Sequence, residues 1–214
     1  MLPLAYMRDV RELAQKHGLR SHIDGARLFN AAVALALKDG GDPVQRAREI
    51  CEGYDSVSVC LSKGLGAPVG SLLLGSAAFI AEARRTRKML GGGMRQAGLL
   101  AAAGIHALQH HVARLADDHA NAAYLAEQLS AIAARHTKLA GNSAVLPAQT
   151  NIVFMDVAED VAGDFMRYLA QQNVRVTSGT QRVKERAIRR IRWVTHLDLD
   201  RSDVERALQI AADF

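Results

Sequence analysis

Apolar positions along this chain repeat with two different periods. Leu4, Val10, Leu13 and Ala14 recur at helical spacing with Gly18 as a stop, and Leu19 to Asp24 then reads as a short strand. From Arg27 a small-residue helix, Leu28 to Leu37, ends at Asp39-Gly40-Gly41-Asp42-Pro43, and Val44 to Glu52 forms another. Asp55 to Leu61 alternates as a strand that opens into the loop Ser62-Lys63-Gly64-Leu65-Gly66, with Val69 to Leu74 returning from it. Ala77 to Met89 is helical, Gly91-Gly92-Gly93 is a connector, and Arg95 to about Arg135 is one or two alanine-rich helices. The tail reads as β-α-β-β-α: strand Asn151–Val157, helix Val161–Gln172, strands Val174–Thr177 and Arg190–Thr195, and a last helix capped by Ser202. The class is α/β.

Composition narrows the function. With 214 residues, 49% hydrophobic and 23% charged, the chain is of ordinary globular type. The longest weakly polar stretch, Val69 to Ala81, is 13 residues and holds Gly70, Ser71, Gly75 and Ser76, too short to span a bilayer. The N-terminus shows no basic region followed by an apolar run, so a cytoplasmic location is expected. Cys51 and Cys60 make neither a disulfide framework nor a metal motif and read as reduced core thiols. The net charge of +5 is carried entirely by Arg182 to Arg192, which reads as a solvated basic loop. With only 5% aromatic residues, no nucleic-acid partner and no membrane partner are expected.

Candidate chemistry sits where strands end. Asp24 lies at the junction of a strand and a Gly-containing turn, where open α/β sheets place ligands, although such an acid also commonly caps the next helix. Lys63 follows the next strand, flanked by Ser62, Gly64 and Gly66, so its amine can meet a ligand closely; the plainer reading is an exposed loop. Together, a lysine and an aspartate at the C-terminal ends of two strands are what pyridoxal phosphate requires: an amine to link to the cofactor and a carboxylate to keep its ring nitrogen protonated. His106, His110, His111, His119 and His136 fall in helices and read as surface or packing residues, and His22 and His196 as structural. Trp193 is expected to face packing, opposite Arg192 on its strand.

Four segments then stand out in order: His22-Ile-Asp24-Gly-Ala-Arg27-Leu-Phe-Asn30, Cys60-Leu-Ser-Lys63-Gly-Leu-Gly-Ala-Pro-Val-Gly-Ser71, Lys88-Met-Leu-Gly-Gly-Gly-Met-Arg95-Gln-Ala-Gly98 and Arg192-Trp-Val-Thr-His-Leu-Asp198. They closely resemble the low-specificity L-threonine aldolases. The resemblance implies the pyridoxal-phosphate-dependent aspartate-aminotransferase fold, with 1–115 as part of the cofactor-binding large domain and 116–214 as a connecting helix and small C-terminal α/β domain. It implies Lys63 as the lysine linked to the cofactor and Asp24 as the partner of the pyridine nitrogen. Arg27 matches an arginine near the cofactor and the substrate carboxylate, and Arg192 the arginine that grips that carboxylate. Lys88 and Arg95 match basic residues that approach the cofactor phosphate from a neighbouring subunit; for Lys88 the alternative is a helix-surface charge beside Arg84, Arg85 and Arg87. The implied reaction is retro-aldol cleavage of L-threonine or L-allo-threonine to glycine and acetaldehyde, in a dimer or tetramer with shared sites.

Family members also carry an N-terminal region with a glycine-containing phosphate loop and a ring-stacking histidine, which Met1 to Asp24 does not contain. Ser178 to Arg190 looks longer and more basic than the family's usual loop. Weak cofactor binding, little turnover, an unpaired sheet edge and an uncovered apolar face are therefore expected. The competing readings are a non-catalytic remnant and another lyase of the same fold, such as a β-eliminating amino-acid lyase.

Overall fold

A computed structural model describes residues 1–183 and 186–214, with the side chains of Val183 and Arg186 outside the description. The chain divides into two compact units, Met1–Leu115 and Ala116–Phe214.

The first unit runs α1 (Leu4–Lys16), β1 (His22–Gly25), α2 (Leu28–Asp39), α3 (Pro43–Cys51), β2 (Ser56–Cys60), β3 (Ser71–Gly75), α4 (Ala77–Met89) and α5 (Gly98–His110). Its sheet has the order β1-β2-β3, with β1 and β2 parallel and β2 and β3 antiparallel. Parallel strands need a crossover, and α2 and α3 supply it. The helices bury Leu28, Ala32, Leu35, Ala47 and Ile50 against Val57 and Val59 of β2, and these seven side chains are one core cluster. Asp42 starts α3 by accepting the Gln45 N–H at 2.9 Å, with Pro43 at the first helical position, where its missing N–H costs nothing.

α1 forms where the apolar spacing predicts a helix, and its inward side combines apolar and charged residues. Leu4, Met7, Arg11 and Ala14 turn inward, while Val10 and Leu13 are exposed. Arg11 lies inward because its guanidinium donates to the Glu52 carbonyl at 2.9 Å, and Tyr54 donates to the Met7 carbonyl at 2.8 Å from the same turn.

The second unit contains α6 (Leu115–Arg135) from its second residue on, β4 (Ser143–Val145), β5 (Ile152–Ala158), α7 (Glu159–Gln171), β6 (Thr177–Val183), β7 (Arg186–Val194) and α8 (Arg201–Ala212), with an antiparallel sheet ordered β4-β5-β7-β6. One face buries Val153, Met155, Val157, Ile191 and Trp193 under Phe165 and Leu169 of α7 and Val204 and Leu208 of α8. Three expectations are corrected here. Ser178 to Arg190 is largely β-structure, because Arg190 pairs bidentately with Asp156 across the sheet at 2.6 and 2.7 Å and Arg189 pairs with Glu159; part of the expected basic loop, Lys184 and Glu185, lies outside the described residues. The last helix is capped by Asp200 in a reciprocal box with Asp203, and Ser202 instead donates to Asp200 at 2.6 Å. The thiols Cys51 and Cys60 are free but only half-buried. Among the described residues no helix is long and apolar enough to cross a membrane.

The first unit leaves much apolar surface uncovered, as expected. Every residue of β3 is exposed, including Leu72, Leu73 and Leu74, and α4 buries none of its side chains. Leu73, Phe79 and Leu90 share one groove, and Leu99 and Ile105 of α5 are also exposed. Contiguous apolar surface of this kind drives association. Light scattering of the purified chain should therefore report a mass above the 23.1 kDa of one copy, lowered by Leu73→Glu with Leu90→Glu. A clean monomer would count against the exposure of this face.

Candidate active site

Parallel pairing brings the two candidate loops to one edge of the sheet. β1 and β2 align His22 with Ser56 and Gly25 with Val59, so both strands run out at the same end, about 4.8 Å apart. Gly25 is needed for this pairing: a Cβ there would lie 2.7 Å from the Ser58 carbonyl oxygen and 3.2 Å from Val57 Cγ1. Asp24 is exposed at that end, and its Oδ1 accepts the Ala26 N–H at 3.2 Å. Its carboxylate thus closes a local turn instead of capping α2, whose N-terminal cap position is held by Arg27. Asp24 and Arg27 line one cleft of about 200 Å³ with Met7, Ile23 and Leu28.

The lysine loop is folded by alternate burial. Leu61, Leu65 and Ala67 point inward, whereas Ser62, Lys63 and Gly66 face solvent. The Gly66 N–H donates to the Lys63 carbonyl at 2.8 Å, and the Ala67 N–H to the Leu61 carbonyl at 3.0 Å. Gly64 sits against the buried Asn30 and Leu115, and a Cβ there would come within 2.9 Å of Asn30 Oδ1 and of Leu115 Cδ2. The Lys63 ammonium makes no hydrogen bond or ion pair among the described residues and is free to meet a ligand. It also acts on Cys60. Burial pushes that thiol up, but hydrogen bonds with Ser62 and Ser71 and the Lys63 charge outweigh it and hold the thiol below its ordinary range. Burial pushes the Cys51 thiol up, with nothing to offset it.

The remaining candidates lie elsewhere. Lys88 ends α4 and Arg95 lies in the turns before α5; both are exposed. Arg192 stands on the solvent face of β7, where its Nε donates to Thr177 Oγ1 at 3.1 Å and no carboxylate pairs with it among the described residues. Its neighbour Trp193 is buried on the opposite face, as alternation predicts. His22 Nδ1 lies 2.9 Å from Ser56 Oγ, and His196 Nδ1 accepts the Asp198 N–H at 3.3 Å. Both are structural contacts. Asn30, which closes the first motif, and His111, read from the sequence as a surface or packing residue, support the lysine loop from other elements.

Solved structures establish the fold. The chain superposes on a threonine aldolase of Leishmania major with TM-score 0.70 and 18% identity, covering 98% of this chain and 56% of that one. A serine palmitoyltransferase of Sphingomonas wittichii gives TM-score 0.69 at 16% identity, covering 97% and 50%. The class is therefore the α/β fold of pyridoxal-phosphate-dependent enzymes of the aspartate-aminotransferase type. Within it, the chain belongs to the beta-eliminating lyase family, whose profile matches residues 1–160. The low-specificity L-threonine aldolase of Escherichia coli K12 is 42% identical over 212 residues, spanning 99% of this chain and 55% of that protein. Low-specificity L-threonine aldolase 1 of Arabidopsis thaliana is 40% identical over 210 residues, spanning 97% and 53%. The chain spans about half the length of the curated relatives it matches.

Two predictions follow from the loop. Gly64→Ala should displace it from Asn30 and Leu115 at a cost of about 1–3 kcal/mol, read as a lower denaturation midpoint. On raising the pH from acid, Cys60 should alkylate before Cys51, because its thiolate forms first, and Lys63→Met should delay Cys60 alone. Simultaneous labelling of both thiols would show that the Ser62 and Ser71 hydrogen bonds do not hold the Cys60 thiol down, and unchanged Cys60 labelling in Lys63→Met would show that the Lys63 charge does not reach it.

Proposed function

We propose that this chain carries the lysine and aspartate of a pyridoxal-phosphate-dependent aldehyde-lyase that cleaves L-threonine or L-allo-threonine to glycine and acetaldehyde. The observation that carries the reading is the placement of Asp24 and Lys63 at the same ends of adjacent parallel strands. The donor set fits the cofactor: an exposed amine on a glycine loop and, at the same end of the sheet, a carboxylate whose only hydrogen bond among the described residues is from one backbone N–H, leaving an oxygen to accept from a pyridinium. When bound, the cofactor supplies an electron-accepting ring for the carbanion left by Cα–Cβ cleavage.

The chain's own residues would do the rest. Lys63 would hold the cofactor through its amine. Asp24 keeps the ring nitrogen protonated by presenting a negative charge to it. Arg27 and Arg192 bind the substrate carboxylate, and the planar fork of Arg192 suits two carboxylate oxygens. Lys88 and Arg95 pair with the cofactor phosphate in a neighbouring copy, which fits their exposure and makes the assembly a dimer or tetramer. The free thiols Cys51 and Cys60 fit a reducing, cytoplasmic location.

Mixing the purified chain with pyridoxal phosphate, reducing with borohydride and mapping peptides should find the label at Lys63 and lose it in Lys63→Ala. Scattered or absent labelling would identify a remnant that cannot hold the cofactor. Where labelling succeeds, acetaldehyde from threonine supports the aldolase, whereas pyruvate with ammonia from a β-substituted amino acid supports a β-eliminating lyase. Arg192→Lys should raise KM more than it lowers kcat, by about tenfold, since a bidentate grip becomes a single contact. An unchanged KM would remove Arg192 from the substrate site.

A further inference from the structure

We infer that His111 is a positioning residue for the lysine loop, clamping it from α5 through the Leu65 carbonyl. His111 is half-buried just after the end of α5, and its Nδ1 lies 2.6 Å from the Leu65 oxygen. A carbonyl has no proton to give, so the ring must donate, which assigns the hydrogen to Nδ1 and leaves Nε2 as the acceptor in the neutral ring. The His106 ring meets it edge-on, with centroids 5.3 Å apart, and His110 lies tilted against His106 at 4.5 Å, so the donor is oriented by its own helix.

The loop needs such a tie. Gly64, Gly66 and Gly70 give it wide backbone freedom, and Gly66 and Gly70 use it, with φ of 68° and 116°. Its own backbone bonds close the turn Lys63–Gly66, join Ala67 to Leu61 and join Leu61 to Gly70, so all three lie within the loop. The buried side chains of Leu61, Leu65 and Ala67 seat it on the unit, Gly64 packs on Asn30 and Leu115, and the hydrogen bond from His111 adds a directed tie two residues beyond Lys63. The approach of α5 that permits the bond is itself close, since a Cβ on Gly104 would lie 2.9 Å from Leu61 Cδ1 at the loop's start. His111 therefore holds the backbone that aims Lys63 without touching any ligand. Its consequence for cofactor attachment rests on the reading of Lys63 above; its geometry does not.

The test uses the full chain. Without cofactor, amide hydrogen exchange at Gly66 and Ala67 should quicken about tenfold in His111→Ala, the size of one lost hydrogen bond, and recover in His111→Asn, whose side-chain N–H reaches the same carbonyl. Exchange at Val57 and Val59 in β2 should stay unchanged. In the unsubstituted chain the ring nitrogen spectrum should show a protonated Nδ1, a measurement that decides the matter even where the alanine variant fails to fold. Unchanged exchange, or an Nδ1 without its proton, would overturn the clamp. With pyridoxal phosphate added, the borohydride-trapped fraction at Lys63 should fall in His111→Ala and return in His111→Asn. Trapping that stays constant while exchange quickens would overturn the positioning role. If the unsubstituted chain traps nothing at Lys63, the cofactor reading fails, while exchange and ring protonation still judge the clamp.

Discussion

The parallel pairing of β1 with β2 is the constraint on which the candidate site depends. Antiparallel strands would send Asp24 and Lys63 to opposite ends of the sheet; the parallel register from His22–Ser56 to Gly25–Val59 brings both loops to one edge. That register is held by packing more than by the loops themselves. The Asp24 bond to Ala26 is one hydrogen bond, worth about 1 kcal/mol net, whereas truncating a buried leucine such as Leu28 or Leu35 costs about 2–5 kcal/mol. The apolar face of α2 thus sets the position of a carboxylate that it never touches, and Gly25 lets the strands close by carrying no Cβ beside Ser58.

In the second unit, register is specified twice. Apolar alternation puts Ile191 and Trp193 into the core, and the bidentate Arg190–Asp156 pair, whose partners face each other across β5 and β7, rewards the same alignment. Partly exposed ion pairs add little stability, so the pair matters chiefly for choosing between registers. A slip of one residue would bury Arg192 and expose Trp193. Arg190 and Arg189 are matched by Asp156 and Glu159, whereas Arg192 meets the Thr177 hydroxyl and, among the described residues, its terminal N–H groups are uncommitted to a carboxylate.

The elements legible in the sequence were those coded locally. Helices with clear stops, such as Ala77–Met89, and strands with unbroken alternation, such as Ser56–Cys60, emerged close to their observed limits. The hairpin of β6 and β7 did not, because a run of cations resembles a solvated loop until Asp156 and Glu159, some thirty residues away in sequence, are brought beside it. The helix α1 was legible but its inward Arg11 was not, for the same reason: the residue turns inward because the Glu52 carbonyl is there to receive it. Ser202 was a reasonable cap on spacing alone, yet Asp200 with Asp203 satisfies two backbone N–H groups where a serine satisfies one. At the candidate site, motif residues such as Asp24 and Lys63 were readable by type and position, whereas the support that Asn30 and His111 give the lysine loop joins segments distant from it in sequence and is visible only in the fold.

α5 shows how these levels meet. Its sequence is apolar nearly all round, the composition of a helix buried on every side, yet among its residues only Gly104 and Ala107 are buried and Leu99 and Ile105 stand in solvent. Small residues on the inward face let the helix axis approach Leu61, and that approach brings His111, just past the helix end, within reach of the lysine loop. A larger residue at 104 would push the helix away and weaken the bond without touching the loop. The exposed outer face contributes nothing to this contact, so the position of the loop depends on the two buried small residues of the helix, Gly104 and Ala107. The geometry of a reactive lysine is thus set in part by the absence of side-chain volume two elements away.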